Sequence, residues 1–210
     1  MRFLVIEGNI GSGKTSLAEM LAHDLNGKLI AEQFEENPFL PGFYENPERY
    51  SFTLELSFLA SRYNQMKKDV LNPDLFHSLL IADYHFSKTA IFAQNTLKKD
   101  EYLLFRQLFN MASDTFPNPD LYVYLHMDTK RLLENIKKRG REYEKHISGE
   151  YLDKISEGYF SFLKGISSFP VLILDVNKFD FVQNREHYRS IKSLLFKNKY
   201  SLGINRQILC

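Results

Sequence analysis

The 210-residue sequence has no tryptophan, and its one cysteine, Cys210, is the last residue. A single thiol cannot close an internal disulfide or build a thiolate metal cluster, and it suits a reducing compartment. Long apolar runs are also missing. The first, Phe3 to Ile6, is interrupted at once by Glu7, too short for a signal peptide, and no later run approaches membrane-spanning length. A soluble, cytoplasmic chain with no membrane partner is expected. Nor is there an excess of one charge: 27 Lys and Arg against 26 Asp and Glu leave +1, with both signs interspersed. Such a balance gives no reason for non-specific adhesion to nucleic acid or anionic lipid, so the expected partners are small molecules. The length suffices for one well-buried core and not for two, and no repeat, low-complexity segment or linker divides it. Aromatic residues are plentiful, 18 Phe and 12 Tyr. Most should fill the core, and rings also make platforms for a nucleobase.

The most informative stretch is Gly8-Asn9-Ile10-Gly11-Ser12-Gly13-Lys14-Thr15, a full G-x-x-x-x-G-K-[ST] phosphate-binding loop. It follows an apolar, β-favouring run, Arg2 to Glu7, and precedes a helical pattern with Leu17, Met20 and Leu21 on one face. In that setting backbone N–H groups turn inward around a β-phosphate, and the helix N-terminus adds positive potential. Lys14 reaches the β/γ oxygens and the Thr15 hydroxyl can bind Mg²⁺. A nucleoside triphosphate, ATP with Mg²⁺, is the expected ligand.

Further strands are expected at 28–31, 78–82, 121–125 and 171–174, making five with the first. Helical patterns run over 50–70, 88–97, 101–113, 129–138, 150–167 and 181–195. Pro38, Pro41, Gly42, Pro47, Pro73, Pro117, Pro119 and Pro170 fall between elements as breakers. Strands alternating with helices predict an α/β fold of the P-loop NTPase type, a five-stranded parallel sheet flanked by helices. Ligands of such sheets bind beyond the carboxyl ends of the strands.

Three groups lie at those ends. Glu32, after the second strand, would face a γ-phosphate and accept the proton of an attacking hydroxyl; the plainer alternative is an acidic loop residue, as for Glu35 and Glu36. Asp83, after the third, fits the Walker B pattern of a Mg²⁺ holder, or else a turn aspartate. Lys137-Lys138-Arg139-Gly140-Arg141 packs four positive charges into five residues. It reads as a lid closing over the transferring phosphate, or as a solvated basic helix end. Asn177-Lys178-Phe179-Asp180 matches the N-K-x-D that reads guanine in GTPases, but the accompanying D-x-x-G occurs only as Asp24 to Gly27, inside the first helical region.

With these residues in place, the chain resembles the deoxyribonucleoside kinase family of deoxyadenosine, deoxyguanosine and deoxycytidine kinases. The resemblance rests on Ile6 to Thr15, on Asn37-Pro38-Phe39-Leu40 with Phe43-Tyr44, on Lys138 to Glu144, and on Leu174 to Asn177 through Asp180-Phe181. It implies one kinase domain over 1–210 with a lid at about 137–148, usually as a homodimer joined through helices. By the same resemblance Glu32 contacts the 5′-hydroxyl, Tyr44 and Glu144 hold the 3′-hydroxyl, and Arg139 and Arg141 are the lid arginines. Phe92 stacks on the base, Phe181 contacts the ATP adenine, and Arg62, seven residues after Glu55 on one helical face, reaches the base edge.

Three departures from the family pattern stand out. The acid-Arg-Ser triplet after the third strand appears as Asp83-Tyr84-His85, leaving Lys88, about a turn later, as the nearest cation. Glu55 stands where the family has a base-reading glutamine, and Asn135 replaces an arginine that stacks on the ATP adenine, so a loose nucleotide preference is expected. The implied reaction is transfer of phosphate from ATP–Mg²⁺ to a deoxyribonucleoside in nucleotide salvage. Lys14 holds the donor, Thr15 and Asp83 the metal, and Glu32 serves as base, with Asp83 the alternative proton acceptor. An ionised Glu55 only accepts hydrogen bonds, which favours purine deoxynucleosides over deoxycytidine and thymidine; a Glu55–Arg62 bridge is the alternative. The rival readings are a nucleoside monophosphate kinase of the thymidylate kinase kind and a non-enzymatic nucleotide-binding switch.

Overall fold

The computed structural model describes residues 1–33, 37–72 and 76–208. Glu35, Glu36, Pro73 and Cys210 lie outside them. The first strand, β1 (Phe3–Gly8), is buried along its whole length, its apolar Phe3–Ile6 as expected for a strand covered on both faces and Glu7 with it. It runs parallel to β3 (Leu80–Ala82) on one side and β4 (Leu121–His126) on the other. The strand β2 (Lys28–Ile30) flanks β3, and β5 (Pro170–Asp175) flanks β4, again in parallel.

A sixth strand, β6 (Gly203–Ile208), extends the sheet beyond β5, giving the order β2-β3-β1-β4-β5-β6. The sheet thus has six strands, not the five expected. The run Gly203-Ile204-Asn205-Arg206-Gln207 lacks the apolar density of the other strands because it is an edge, with Arg206 and Gln207 exposed.

Strict alternation places the core on both faces. Leu4, Ile6, Leu121, Val123, Leu125, Leu172 and Leu174 pack with α1 (Lys14–Leu25), α6 (Thr129–Arg139) and α8 (Arg185–Lys197). Phe3, Val5, Tyr122, Tyr124, Val171 and Ile173 face α3 (Pro47–Asp69), α4 (Lys88–Thr96), α5 (Lys99–Ser113) and α7 (Gly149–Lys164). A short helix absent from the sequence expectation, α2 (Leu40–Glu45), contains Pro41. That proline lies in the first turn, where a missing N–H breaks no helical bond, so it belongs to the helix rather than ending it. The helix expected from Phe181 starts at Arg185 instead, because the Asn184 side chain accepts from the Glu186 and His187 N–H groups and caps it there.

The strand order reverses around β1, between β3 and β4. The crevice beyond its carboxyl end is where a parallel sheet of this kind binds ligands, and the phosphate-binding loop emerges there.

Candidate active site

The loop geometry requires two of its glycines. Gly11 and Gly13 have φ of 84° and 83°, and a Cβ on either would sit 2.8 Å from a neighbour, the Leu132 carbonyl and the Phe181 ring respectively. Gly13 leads directly into α1, so the free N–H groups of that helix point at the crevice. The loop's polar side chains serve the scaffold. Asn9 donates to the Leu152 carbonyl (2.7 Å) and Ser156 Oγ (2.8 Å), tying the loop to α7, and Ser12 is fully buried. Any ligand contact from Gly8 to Gly13 is thereby left mainly to the backbone, while Ile10 borders the third cavity described below.

Lys14 and Thr15 follow on α1. Thr15 Oγ1 donates to Asp83 Oδ2 at 2.5 Å, and Asp83 Oδ1 accepts from the Glu32 N–H at 2.7 Å. Asp83 therefore binds together the ends of β1, β2 and β3. No three His, Cys, Asp or Glu side chains gather as a metal cage among the described residues. Thr15 and Asp83 nonetheless offer hard oxygen donors, which suits Mg²⁺, an ion that takes most of its ligands from phosphates and water.

Glu32 has the densest electrostatic surroundings. Its Oε1 accepts from Arg62 Nε (2.8 Å) and lies 2.6 Å from Nη2, while Lys88 Nζ pairs with Oε2; all three side chains are less than a tenth exposed. Burial opposes the carboxylate, but Lys88, Arg62 and Lys14 outweigh it and hold Glu32 down to about 2. Burial and the neighbouring Lys88 push the Lys14 ammonium down to about 8. Lys88 thus places a cation against Glu32, while Tyr84 is buried at 0 % exposure in the core beside β3. His85 adds no charge at neutral pH, because burial takes its imidazole down to about 4.

Three clefts meet here. One is lined by Gly11, Gly13, Lys14, Thr15, Asp83, Arg139 and Arg141 and brings together three cations and the loop glycines. A second continues past Asn135, Lys138, Phe179 and Phe181. Phe181 borders it with its ring packed on Gly13, and Asn135 Nδ2 donates to the Gly11 carbonyl at 2.8 Å. The third is a cavity lined by Tyr44, Glu55, Arg62, Lys88, Phe92 and Glu144. Glu32 borders both the first and the third.

The basic run ends α6. Gly140 closes that helix in the left-handed conformation, φ 72°, which accounts for a glycine between two arginines. Beyond it a 3₁₀ turn, Glu142–Glu144, buries Glu144. Arg139 grips the Glu144 carboxylate through Nε (3.1 Å) and Nη2 (2.5 Å to each oxygen), and Arg141 Nη1 stands 3.6 Å away. The Tyr44 phenol, raised by burial and by Glu144, stays protonated and able to donate.

Glu55 and Arg62 do not bridge one another. Arg62 gives Nε and Nη2 to Glu32 and Nη1 to Thr89 Oγ1 (3.1 Å), and its guanidinium lies 4.6 Å over the Phe58 ring. Glu55 Oε1 meets Thr96 Oγ1 at 2.9 Å, and burial raises the carboxyl to about 7 despite Arg62. Glu55 enters the sequence reading in its ionised form; its burial favours the protonated form as well.

Several residues were missed at the sequence level. Phe58 lies three residues beyond Glu55, and Thr96 four beyond Phe92, so helical spacing alone points to them. Glu7 had no such signal. It is fully buried, accepts from Tyr159 Oη and the His85 N–H (both 2.8 Å), and has its proton affinity raised by burial against Lys88 and Lys14. Asn177 of the N-K-x-D match is engaged in the scaffold, accepting from the Asp128 N–H (2.8 Å) and donating to Asp175 Oδ1 (3.0 Å).

Known proteins resemble this chain along most of its length. The profile of the deoxynucleoside kinase family matches residues 4–199. A deoxyguanosine kinase of Bacillus subtilis is 35 % identical over 193 residues, spanning 90 % of this chain and 93 % of its own. A deoxyadenosine/deoxycytidine kinase of the same organism is 31 % identical, spanning 90 % and 88 %, and a deoxyadenosine kinase of Dictyostelium discoideum is 31 % identical, spanning 96 % and 82 %. Among solved structures, a deoxyadenosine kinase from M. mycoides superposes with a TM-score of 0.80 at 24 % identity, over 94 % of this chain and 100 % of that one, which establishes the shared P-loop kinase fold. From the extent of these matches, the chain belongs to the deoxynucleoside kinase family and is a phosphotransferase acting on deoxynucleosides.

Proposed function

We propose that the chain transfers the γ-phosphoryl group of ATP–Mg²⁺ to the 5′-hydroxyl of a purine deoxynucleoside, as a salvage enzyme of the cytoplasm. The observation that carries this reading is the position of Glu32, at the junction of the phosphate cleft and the acceptor cavity. Tyr44 and Glu144 would hold the sugar 3′-hydroxyl, Phe92 would stack on the base, and Glu55 with Arg62 would border its edge. Lys14 and the loop amides would hold the donor phosphates, with Arg139 and Arg141 closing as a lid. Mg²⁺, held by Thr15 and Asp83, would neutralise phosphate charge.

A carboxylate held down to about 2 is a weak base, so Glu32 would align the hydroxyl by accepting its hydrogen bond. In a loose phosphoryl-transfer transition state the nucleophile needs little prior activation. The proton moves to Glu32 late, as the new P–O bond acidifies the attacking oxygen and ADP departs. Near the acceptor, Arg62 and Lys88 are both spent on Glu32, which leaves them poor holders of an acceptor phosphate.

An ADP-release assay across the four deoxyribonucleosides and their monophosphates tests this. The expected order is deoxyguanosine or deoxyadenosine first, deoxycytidine weaker and thymidine poorest. Faster turnover of any monophosphate than of every nucleoside overturns it.

The chain would act as a homodimer. On α5, Leu103, Leu104, Leu108 and Met111 are 55, 49, 39 and 80 % exposed, and three of them recur at i, i+4 and i+7. An apolar helix face of that kind is suited to burial against a second copy.

A further inference from the structure

Glu55 is 2 % exposed in the wall of the acceptor cavity. Among the described residues its carboxyl has one hydrogen-bond partner, Thr96 Oγ1, and Oε2 has none. A buried carboxylate would need more than one neutral hydroxyl to replace its hydration. Thr96 Oγ1 also lies 3.0 Å from the Phe92 carbonyl, one turn back along α4. A hydroxyl has one hydrogen to give. When that hydrogen goes to the carbonyl, the 2.9 Å contact with Glu55 is a hydrogen bond only if Glu55 carries the proton and donates it.

The groups facing Glu55 leave this open to titration. Arg62 on α3 and Lys88 on α4 favour the carboxylate, but both are committed to Glu32. Tyr151 on α7 and Tyr44 on α2, in the same cavity wall, are held as neutral phenols by burial. Across the cavity the charges of Arg139 and Arg141 are met by Glu144. Burial outweighs Arg62 and Lys88, and the carboxyl is left near neutrality, about 7.

We propose that Glu55 selects the nucleobase in two protonation states, as a neutral acid offering one O–H beside one carbonyl and as a carboxylate offering acceptors alone, so that pH sets base preference. This rests on reading the cavity as the nucleoside site. Guanine presents N1–H and N2–H₂ side by side, two donors that suit a carboxylate. Adenine and cytosine present an amino group beside a ring nitrogen acceptor, which suits the neutral acid. The neutral form also mimics the amide of a glutamine, so Glu55→Gln should freeze the enzyme in its low-pH selectivity.

The test is the ratio of kcat/KM for deoxyguanosine to that for deoxyadenosine, with ATP–Mg²⁺, between about pH 5.5 and about pH 8.5. The ratio cancels the titration of machinery common to both substrates. It is expected to rise about tenfold in the wild type, the order of one hydrogen bond exchanged, and to stay flat in Glu55→Gln. Calorimetry on the wild type at about pH 7, in buffers of different ionisation enthalpy, gives a second reading: deoxyadenosine should bind with proton uptake and deoxyguanosine with proton release. A flat wild-type ratio, an equal slope in Glu55→Gln, or the same proton count for both nucleosides overturns the two-state reading. Absence of nucleoside turnover at every pH would instead overturn the proposed function.

Discussion

Replacing Lys88 by methionine keeps the length and packing of the side chain and deletes one charge from the Glu32 cluster. Two unit charges about 3 Å apart attract by roughly 5 kcal/mol at an effective dielectric constant of about 20, and the desolvation of Lys88 offsets part of that. The depression of Glu32 from 4.5 to about 2 corresponds to about 3 kcal/mol of linked stability, shared among Lys88, Arg62 and Lys14. Because Arg62 still holds Oε1 in the variant, a loss of about 2 kcal/mol is expected. The sign with pH follows from proton binding. Glu32 of the wild type stays ionised down to about 2, whereas in Lys88→Met it takes up a proton at higher pH, its affinity having moved back towards 4.5. The variant's deficit is thus fully present at neutral pH and shrinks as pH falls through the variant's value towards about 2. Lys14, relieved of a like charge, moves up from about 8, which works in the same direction. A loss of about 2 kcal/mol is about 1.5 pH units, so Glu32 of the variant takes up its proton well below 4.5, and urea unfolding of both proteins at about pH 7 and about pH 2.5 reads the difference. Turnover should fall by about 10²-fold, the cost of removing one positioned donor from a phosphoryl-transfer site. Equal deficits at the two pH values, or turnover at the wild-type level, would refute the assignment of Lys88 as the cation that tunes Glu32.

Glu32→Gln should retain ATP affinity in equilibrium binding while lowering turnover by roughly 10²-fold or more, since the positioned proton acceptor is gone; wild-type turnover would shift attention to Asp83. Arg139→Gln should lower kcat by about 10²-fold or more through lost charge stabilisation, with a smaller rise in KM because Glu144 loses its main partner, and a rise confined to KM would place it with the acceptor instead. Leu104→Glu together with Met111→Glu should convert a dimer to monomers in sedimentation analysis, whereas an unchanged sedimentation coefficient would remove α5 from the interface. GTP should support turnover within about tenfold of ATP, because Asn135 makes a single hydrogen bond to the loop and offers no guanidinium to stack on adenine; a preference for ATP of about 10³-fold would contradict that reading.

What was legible in the sequence is what the chain encodes locally. The phosphate-binding loop, the apolar strands and the acids at their ends each announce themselves within a few residues, and helical spacing places Glu55 and Arg62 on one face of α3. The edge strand β6 was not legible because polar Asn205 and the exposed Arg206 and Gln207 dilute its pattern. Pro41 reads as a breaker until its position in the first turn of α2 is known. The state of Glu55 was hidden for a different reason: a residue's letter carries its chemistry but not its solvation, and burial alone moves this carboxyl by more than its neighbours restore.

The same limit applies to the basic run at the end of α6. Four positive charges in five residues announce an anion, but the anion that Arg139 already holds is Glu144, five residues on and buried by the 3₁₀ turn. The grip uses Nε and Nη2, which leaves Nη1 for a phosphate oxygen. If Glu144 also takes the sugar 3′-hydroxyl, as proposed, one carboxylate connects the nucleoside to the arginine that meets the transferring phosphate. Nucleoside binding would then set the position of Arg139 before chemistry begins. Glu144→Gln should accordingly lower kcat as well as raise KM, because it loosens Arg139 along with the sugar, and pre-steady-state phosphoryl transfer separates the two effects. A change in KM alone, with the transfer rate intact at saturating nucleoside, would show that Arg139 reaches the phosphate without help from Glu144.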